Sequence, residues 1–226
     1  MATERTPDLR LFFDILLTLD RIGAPYMIIG GFAAAIYGNN RTTYDIDIVV
    51  DLSERHIQAL AAAYPAPRYY ADPEQMRNSI RMGISFNIID GKLGDKADLS
   101  PLTRDSRYRA AFKNRIRQPI DLPDGAPFDA WCARPEDVII GKLMAWEEGR
   151  SSKHEIDIYG MMLAHYMRVL LNTGATFDEG YVTAQAKRLG EDVFEFWTAI
   201  NEAARQEINR SRPTNAPAAP DQPDQL

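Results

Sequence analysis

The chain has little of the residue types that hold small secreted proteins or zinc sites together. It contains one cysteine, Cys132, and three histidines in 226 residues. A single cysteine cannot form an internal disulfide, which favours a reducing, cytoplasmic environment. The histidines are too few and too scattered for a zinc site to be predicted. Cys132 stands beside Trp131 in an apolar stretch, where buried packing is predicted rather than a nucleophilic role.

Long hydrophobic runs are also lacking. A transmembrane helix needs about 18 or more consecutive apolar residues, and no such run occurs. The first residues do not combine a charged start with an apolar core, so a secretory signal is not expected. The 45% hydrophobic content fits an ordinary folded core. We therefore expect a cytoplasmic protein with one main domain, an appended helical part and no membrane partner.

Basic charge is scarce over most of the chain. Lysine and arginine total 26 against 32 acids, for a net charge of −6, which argues against broad nonspecific binding of nucleic acid. One local exception is a basic run within positions 104 to 117: Arg104, Arg107, Arg109, Lys113, Arg115 and Arg117. This run indicates either a solvated helix face or a contact with phosphate or RNA.

Hydrophobic periodicity and turn residues predict the order of the elements. A helix is predicted over 8–21, Ser53 is a predicted N-cap of the next long helix, and Pro135 with the two acids after it begins a helix that ends near Gly149. The strands predicted over 82–89 and 96–100 are separated by a hairpin connection. The expected domains are an α/β core over 1–132, a C-terminal helical region over 133–210 and a tail over 211–226. Four prolines among alanine, glutamine and aspartate in that tail predict disorder.

The most informative segment joins a glycine pair to a pair of acids. Gly30-Gly31 follows a predicted strand over 26–29, and Asp45-Ile46-Asp47 follows thirteen residues later in another predicted strand. Residues at i and i+2 of a strand point to the same face, where two carboxylates are costly without a cation between them. Mg²⁺ suits such a pair, and a glycine turn that opens a helix can seat phosphate. The alternative is a solvated face on an edge strand.

Gly30-Gly31 and the pattern Arg41-x-Thr43-x-Asp45-x-Asp47 together resemble the signature of the DNA polymerase β-type nucleotidyltransferase superfamily. Within it, the chain resembles bacterial minimal nucleotidyltransferase domains and toxins of the AbiEii kind, over residues 10 to 165. The resemblance implies an α+β (α/β) nucleotidyltransferase fold. Its small mixed central sheet would be flanked by helices and followed by a C-terminal helical part.

The resemblance also implies a reaction and its residues. A third carboxylate comes from a later strand in that superfamily, and the best match is Asp98. Asp45, Asp47 and Asp98 would be catalytic and would hold Mg²⁺ or Mn²⁺. Gly30 and Gly31 would let a nucleoside triphosphate approach the backbone. A nucleoside monophosphate would then pass to a hydroxyl of tRNA, a protein or a small molecule, and pyrophosphate would leave. An antitoxin partner is implied for the toxin-like members.

Three further residues have open interpretations. Arg41 would contact phosphate, or would form a surface salt bridge to Asp45 or Asp51. Thr43 would set the start of the strand by a local hydrogen bond, or would only favour the extended conformation as a β-branched residue. Lys142 matches a lysine of the toxin-like families that contacts nucleotide phosphate, and the alternative is a solvated lysine on a helix surface.

Two departures from the pattern favour an alternative function. Many relatives carry Gly-Ser where this chain has Gly30-Gly31, so a hydroxyl is missing. The toxin-like families also carry an Arg-Asp-x-x-Asp motif, which Lys153-His154-Glu155-Ile156-Asp157 matches only in part. Asp157 aligns with the second acid, but Glu155 is displaced by one position from the first. The alternative is a catalytically weak or inactive module of the same fold that binds nucleotide or a partner.

Overall fold

The structure is a computed structural model that describes residues 9–39, 46–122, 125–167 and 177–211. Within these ranges the strands form one mixed sheet in the order β3-β4-β5-β2-β1-β7-β6. The strands are β1 (Tyr26–Ile29), β2 (Asp47–Val50), β3 (Tyr69–Tyr70), β4 (Phe86–Asp90), β5 (Asp95–Pro101), β6 (Ile116–Asp121) and β7 (Pro127–Cys132).

Helices flank the sheet, and all the described elements after β7 are helices. The helices are α1 (Arg10–Arg21), α2 (Gly30–Ile36), α3 (Glu54–Ala63), α4 (Pro73–Met82), α5 (Tyr108–Lys113), α6 (Pro135–Gly149), α7 (Ser152–Tyr166), α8 (Glu179–Leu189) and α9 (Glu191–Ser211). A mixed sheet flanked by helices and followed by a helical part confirms the predicted fold class. No helix among the described residues is long and apolar enough to cross a membrane. The domain boundaries at 132 and 210 stay a prediction, and the tail over 212–226 lies outside the described residues.

Local signals place several elements where the sequence predicts them. The Ser53 side chain accepts a hydrogen bond from the backbone of His56, whose ring accepts one from Ser53, so the predicted N-cap of α3 is present. Proline in the first turn and two acids beside it begin α6 at Pro135. Strand β1 spans the predicted residues 26–29.

The strand predicted over 82–89 is wrong at its beginning. Helix α4 continues through Met82, because Gly83 adopts a left-handed conformation with φ of 66° and ends the helix there. The strand starts only at Phe86. The two-residue strand β3 at the sheet edge was not predicted, since Tyr69–Tyr70 is too short to show alternation.

The central pairing decides where the site lies. Strand β2 pairs antiparallel with β1 on one side and parallel with β5 on the other. Strands β4 and β5 form the predicted hairpin, which closes from Asp90 to Asp95. The described part of the predicted acid-bearing strand, β2, therefore lies between the strand that leads into Gly30 and the strand that carries Asp98.

Candidate active site

Asp47 and Asp98 occupy matching positions on neighbouring strands. Ile48 pairs with Leu99 in the parallel ladder, and each aspartate immediately precedes one of these partners. Ile48 and Leu99 are fully buried on one face of the sheet, so Asp47 and Asp98 share the opposite face. Neighbouring strands lie about 4.8 Å apart, which brings the two carboxylates into one neighbourhood.

Gly30 lies directly against the Asp47 carboxylate. Strand pairing places Ile29 opposite Asp47, and the chain turns into α2 at Gly30 with φ of +71°. A Cβ atom built on Gly30 would stand 2.0 Å from Asp47 Oδ2. Only glycine fits this backbone conformation and this spacing without moving the carboxylate. Gly30 and one predicted acid are thus in contact, although 16 other residues separate them in the sequence.

Asp98 already has polar neighbours on its own hairpin. Asn87, its partner in the ladder, donates a hydrogen bond to Asp98 Oδ1, and Lys96 Nζ lies 3.0 Å from the same oxygen. The Asp98 side chain is 44% exposed and that of Lys96 53% exposed. An ion pair this exposed is weak, so it holds the carboxylate only loosely.

The rest of the Arg41-x-Thr43-x-Asp45-x-Asp47 pattern precedes strand β2 in the sequence. Asp45, Arg41 and Thr43 lie in the segment 40–45, which is outside the described residues. Their predicted roles therefore stay predictions. Ile46, the next residue, is buried, and Asp47 begins the strand with an exposed side chain.

A cleft of about 890 Å³ opens between this face of the sheet and the helices. Met27, Ile29 and Asp47 line it from the sheet, and Gly30 and Gly31 line it from the start of α2. Helices α5, α6, α7 and α8 form the other walls. Asp98 does not line the cleft and lies one strand further out. This volume lies within the range of pockets that hold cofactor-sized or drug-sized ligands.

Lys142 is buried rather than displayed on a helix surface. Its Nζ lies 2.5 Å from Asp157 Oδ2, and Asn39 Nδ2 donates to Asp157 Oδ1 at 2.7 Å. Lys142 is 5% exposed and Asp157 1% exposed, and both border the cleft. The solvated alternative for Lys142 is therefore wrong. Its contact with phosphate stays a prediction.

The Lys142–Asp157 pair joins three parts of the chain. Lys142 lies on α6, Asp157 on α7, and Asn39 ends the described segment after α2. A Cβ on Gly160 of α7 would come within 2.8 Å of the Asn39 side chain, which shows how closely α7 approaches. Asp157, the acid that aligns with the toxin-like motif, is thus the carboxylate of a buried ion pair.

Two pKa shifts describe the surroundings of the cleft. Burial raises the pKa of Tyr108 on α5, and the nearby carboxylates of Asp105 and Asp47 raise it further, so the phenol stays protonated near Asp47. Burial also raises the pKa of the Cys132 thiol to about 12. The thiolate is therefore absent near neutral pH, which confirms Cys132 as a packing residue.

The basic run divides into different environments. Arg107 forms ion pairs with Asp105 and Glu148, and Arg117 pairs with Asp20. Arg115 lies over the ring of Trp131. Arg109 and Lys113 on α5 are exposed and have no carboxylate partner in the part of the chain that the structure covers. An RNA contact by the whole run loses support, because these ion pairs already neutralise part of its charge.

Two of the predicted metal ligands, Asp47 and Asp98, lie among the described residues. No group of three or more His, Cys, Asp or Glu side chains that could hold a metal occurs among the described residues, which exclude Asp45. Mg²⁺ binds through one or two protein carboxylates together with substrate phosphates, so Asp47 and Asp98 supply donors of the right type. The chemistry of the pair is thus compatible with the predicted metal.

Sequence reasoning missed the helical wall of the cleft. Tyr181, Gln185 and Arg188 on α8, together with Lys153 and His154 at the start of α7, line it. The only signal in the sequence is the helical spacing of the three α8 residues. That spacing shows that they share a face, but it does not show what the face covers.

Comparison with solved structures finds distant similarities, two of which follow. No protein-family model and no curated protein matches the chain. An antigenic nucleotidyltransferase-like protein from Paracoccidioides brasiliensis aligns with 17% identity and a TM-score of 0.42, over 68% of this chain and 75% of that one. The antibiotic-resistance factor ANT(2'')-Ia aligns with 16% identity and a TM-score of 0.39, over 88% and 92%. Both identities and both TM-scores are low, so neither similarity establishes a family or an activity for this chain.

Proposed function

We propose that the protein is a nucleotidyltransferase that moves a nucleoside monophosphate from a nucleoside triphosphate to a hydroxyl acceptor. The observation that carries the proposal is the placement of Asp47 and Asp98. They occupy matched positions on β2 and β5, and Asp47 borders the cleft beside Gly30-Gly31. The glycine pair leaves the backbone accessible where the triphosphate would lie.

The reaction follows from the chemistry of these groups. The acceptor oxygen attacks the α-phosphorus, the bond from that phosphorus to the bridging oxygen breaks, and pyrophosphate leaves. In the proposal Asp98 accepts the proton of the acceptor hydroxyl, since it is the more outlying and partly exposed carboxylate. Asp47 and Asp98, with Asp45 from the resemblance, would hold Mg²⁺ or Mn²⁺. When bound, the metal would neutralise negative charge on the phosphates.

We propose only the chemical class of the acceptor, which is a hydroxyl group. The resemblance implies a hydroxyl of tRNA, a protein or a small molecule, and a toxin–antitoxin role for the toxin-like members. Arg109 and Lys113 are the members of the basic run best suited to an RNA acceptor, because in the structure as described their side chains have neither an ion pair nor a hydrogen bond.

The test is label transfer from nucleoside triphosphate. Purified protein is incubated with Mg²⁺ and each α-³²P-labelled triphosphate, with and without total tRNA. Asp47→Asn and Asp98→Asn should each lower transfer by about 10²- to 10³-fold, as loss of one electrostatic group at a reacting centre does. Asp51→Asn is the matched control, because Asp51 is exposed and directly follows the same strand. It makes the same change of charge and should keep activity.

The label also identifies the acceptor. Label on tRNA, or on the protein itself, would name the acceptor class, and transfer by Asp47→Asn at the wild-type rate would contradict the proposal. Triphosphate binding without transfer would favour the alternative of a binding module. Two observations favour that alternative: glycine stands at position 31, and Lys96 already pairs with Asp98.

A further inference from the structure

One wall of the cleft is made by a polar face of α8. Tyr181, Gln185 and Arg188 line the cleft at positions i, i+4 and i+7, so they share one side of the helix. Val182 and Ala186, on another side, are fully buried in the core. Packing of that apolar side fixes the rotation of α8 and directs the polar side toward the cleft.

Most charged groups around the cleft are neutralised by a neighbour. Arg134 Nε lies 2.9 Å from an Asp137 oxygen, and Lys142 Nζ lies 2.5 Å from Asp157. Arg107 pairs with Asp105 and Glu148 on the α5 side. These pairs place little net charge in the cleft.

Lys153 and Arg188 differ from these pairs. Both side chains line the cleft and are exposed. Within the described residues neither side chain has a hydrogen bond or an ion pair. Two cations that line one cavity and have no carboxylate partner of their own favour an anion beside them, because the cavity walls reduce screening by solvent.

The absence of a carboxylate partner at Lys153 and Arg188 differs from the pairing of many other cations in the described structure. The chain carries a net charge of −6, so carboxylates are abundant. Several surface arginines use them, and these pairs are Arg68–Asp90, Arg77–Glu54, Arg117–Asp20, Arg150–Asp192 and Arg205–Glu179. Against that background, two cations without a carboxylate partner in the described structure line the same cleft.

We propose that Arg188 and Lys153 bind a phosphate group of a substrate from the helical side of the cleft. The guanidinium of Arg188 offers a planar fork of donors that matches two phosphate oxygens, and Lys153 adds a point charge. The phosphate has two candidate sources, the triphosphate of the donor and the phosphate backbone of a nucleic-acid acceptor. The identity of the ligand rests on the proposed function, whereas the anion site itself does not.

The first test uses inorganic triphosphate, which has neither base nor acceptor hydroxyl. Its binding to the full chain is measured by titration calorimetry at low salt for wild type, Arg188→Gln and Lys153→Gln. Each variant should bind about tenfold more weakly, as loss of a charge-assisted hydrogen bond predicts. Arg55→Gln is the control, because Arg55 is exposed on α3, does not line the cleft and carries the same charge. It should bind as wild type does.

Competition identifies the source of the phosphate. Displacement of inorganic triphosphate by a nucleoside triphosphate, but not by a short RNA, would assign the pair to the donor. Displacement by the RNA alone would assign it to the acceptor. Unchanged binding by Arg188→Gln and Lys153→Gln, or no binding by wild type, would overturn the inference.

The anion site and the proposed activity can fail separately. If wild type transfers label while both charge variants bind inorganic triphosphate normally, the anion site is wrong and the activity stands. If binding depends on Arg188 and Lys153 but no label is transferred, the anion site stands and the proposed reaction fails.

Discussion

At the scale of single residues, Gly30 determines how closely the backbone approaches the Asp47 carboxylate. Its φ of +71° belongs to the left-handed region, and a Cβ there would overlap Asp47 Oδ2. Gly23 offers a comparison within the same chain, since its φ is +67° and a Cβ there would meet no atom within 4 Å. An L side chain would therefore meet the same backbone strain at both positions, and the two positions differ in crowding.

Gly30→Ala should abolish transfer, whereas Gly23→Ala should not. Both substitutions place alanine in the left-handed region, at a cost of about 1–2 kcal/mol in the free energy of unfolding. Only Gly30→Ala also forces the Asp47 carboxylate to turn away. Urea unfolding and the label-transfer assay on both variants check this. Equal activity in the two variants would show that the position of Asp47 does not matter.

At the scale of elements, the buried Lys142–Asp157 pair holds α6 against α7. Removing one member leaves the other charge buried and poorly compensated, which costs about 3–5 kcal/mol. Lys142→Met should therefore lower the free energy of unfolding by that amount, measured by urea denaturation. Asp157 would then keep only part of its stabilising contacts.

The double variant Lys142→Met with Asp157→Asn should be more stable than Lys142→Met alone. The second substitution removes the stranded charge, and the new amide oxygen can still accept the hydrogen bond from Asn39 Nδ2. Additive losses in the two single variants would contradict a coupled pair. Transfer by the folded double variant also tests the predicted phosphate contact, because a purely structural lysine would leave activity in place.

At the scale of the whole molecule, the surface ion pairs set the response to acid. An arginine hydrogen bond lowers the pKa of each of four carboxyls: Glu54, Asp90, Asp105 and Asp192. For Glu54 the pKa falls to about 2, chiefly because of Arg77. These groups ionise more readily in the folded chain than in the unfolded chain. Their contribution to stability is present above the unfolded pKa and is lost as the pH falls below it.

Asp90 provides the specific test of this pH dependence. Arg68 is the main cause of its lowered pKa, and the backbone N–H groups of Lys92 and Leu93 add to it. Asp90→Asn keeps an oxygen for those two donors and removes the charge. Wild type should be the more stable at pH 7, and the difference should shrink below about pH 4. Urea midpoints across this range measure it, and a constant difference would contradict the argument.

Much of the fold at this scale could be predicted from the sequence. The bounds of β1 and α6, the Ser53 cap and the β4–β5 hairpin follow from local signals. The end of α4 could not be predicted, because an apolar run over 82–89 hid the role of Gly83 in ending the helix. The position of Asp98 beside β2 could not be predicted from local signals, because it depends on the hairpin joining the central sheet through the parallel pairing of β2 with β5.

The sequence by itself determined which residues can form each element, since caps, turns and periodicity act over a few neighbouring positions. Only the tertiary structure decided that Gly30 touches Asp47, that Lys142 is buried against Asp157, and that the polar side of α8 faces the cleft. These contacts join residues far apart in the chain. They depend on which buried faces pack together, and no local pattern specifies that choice.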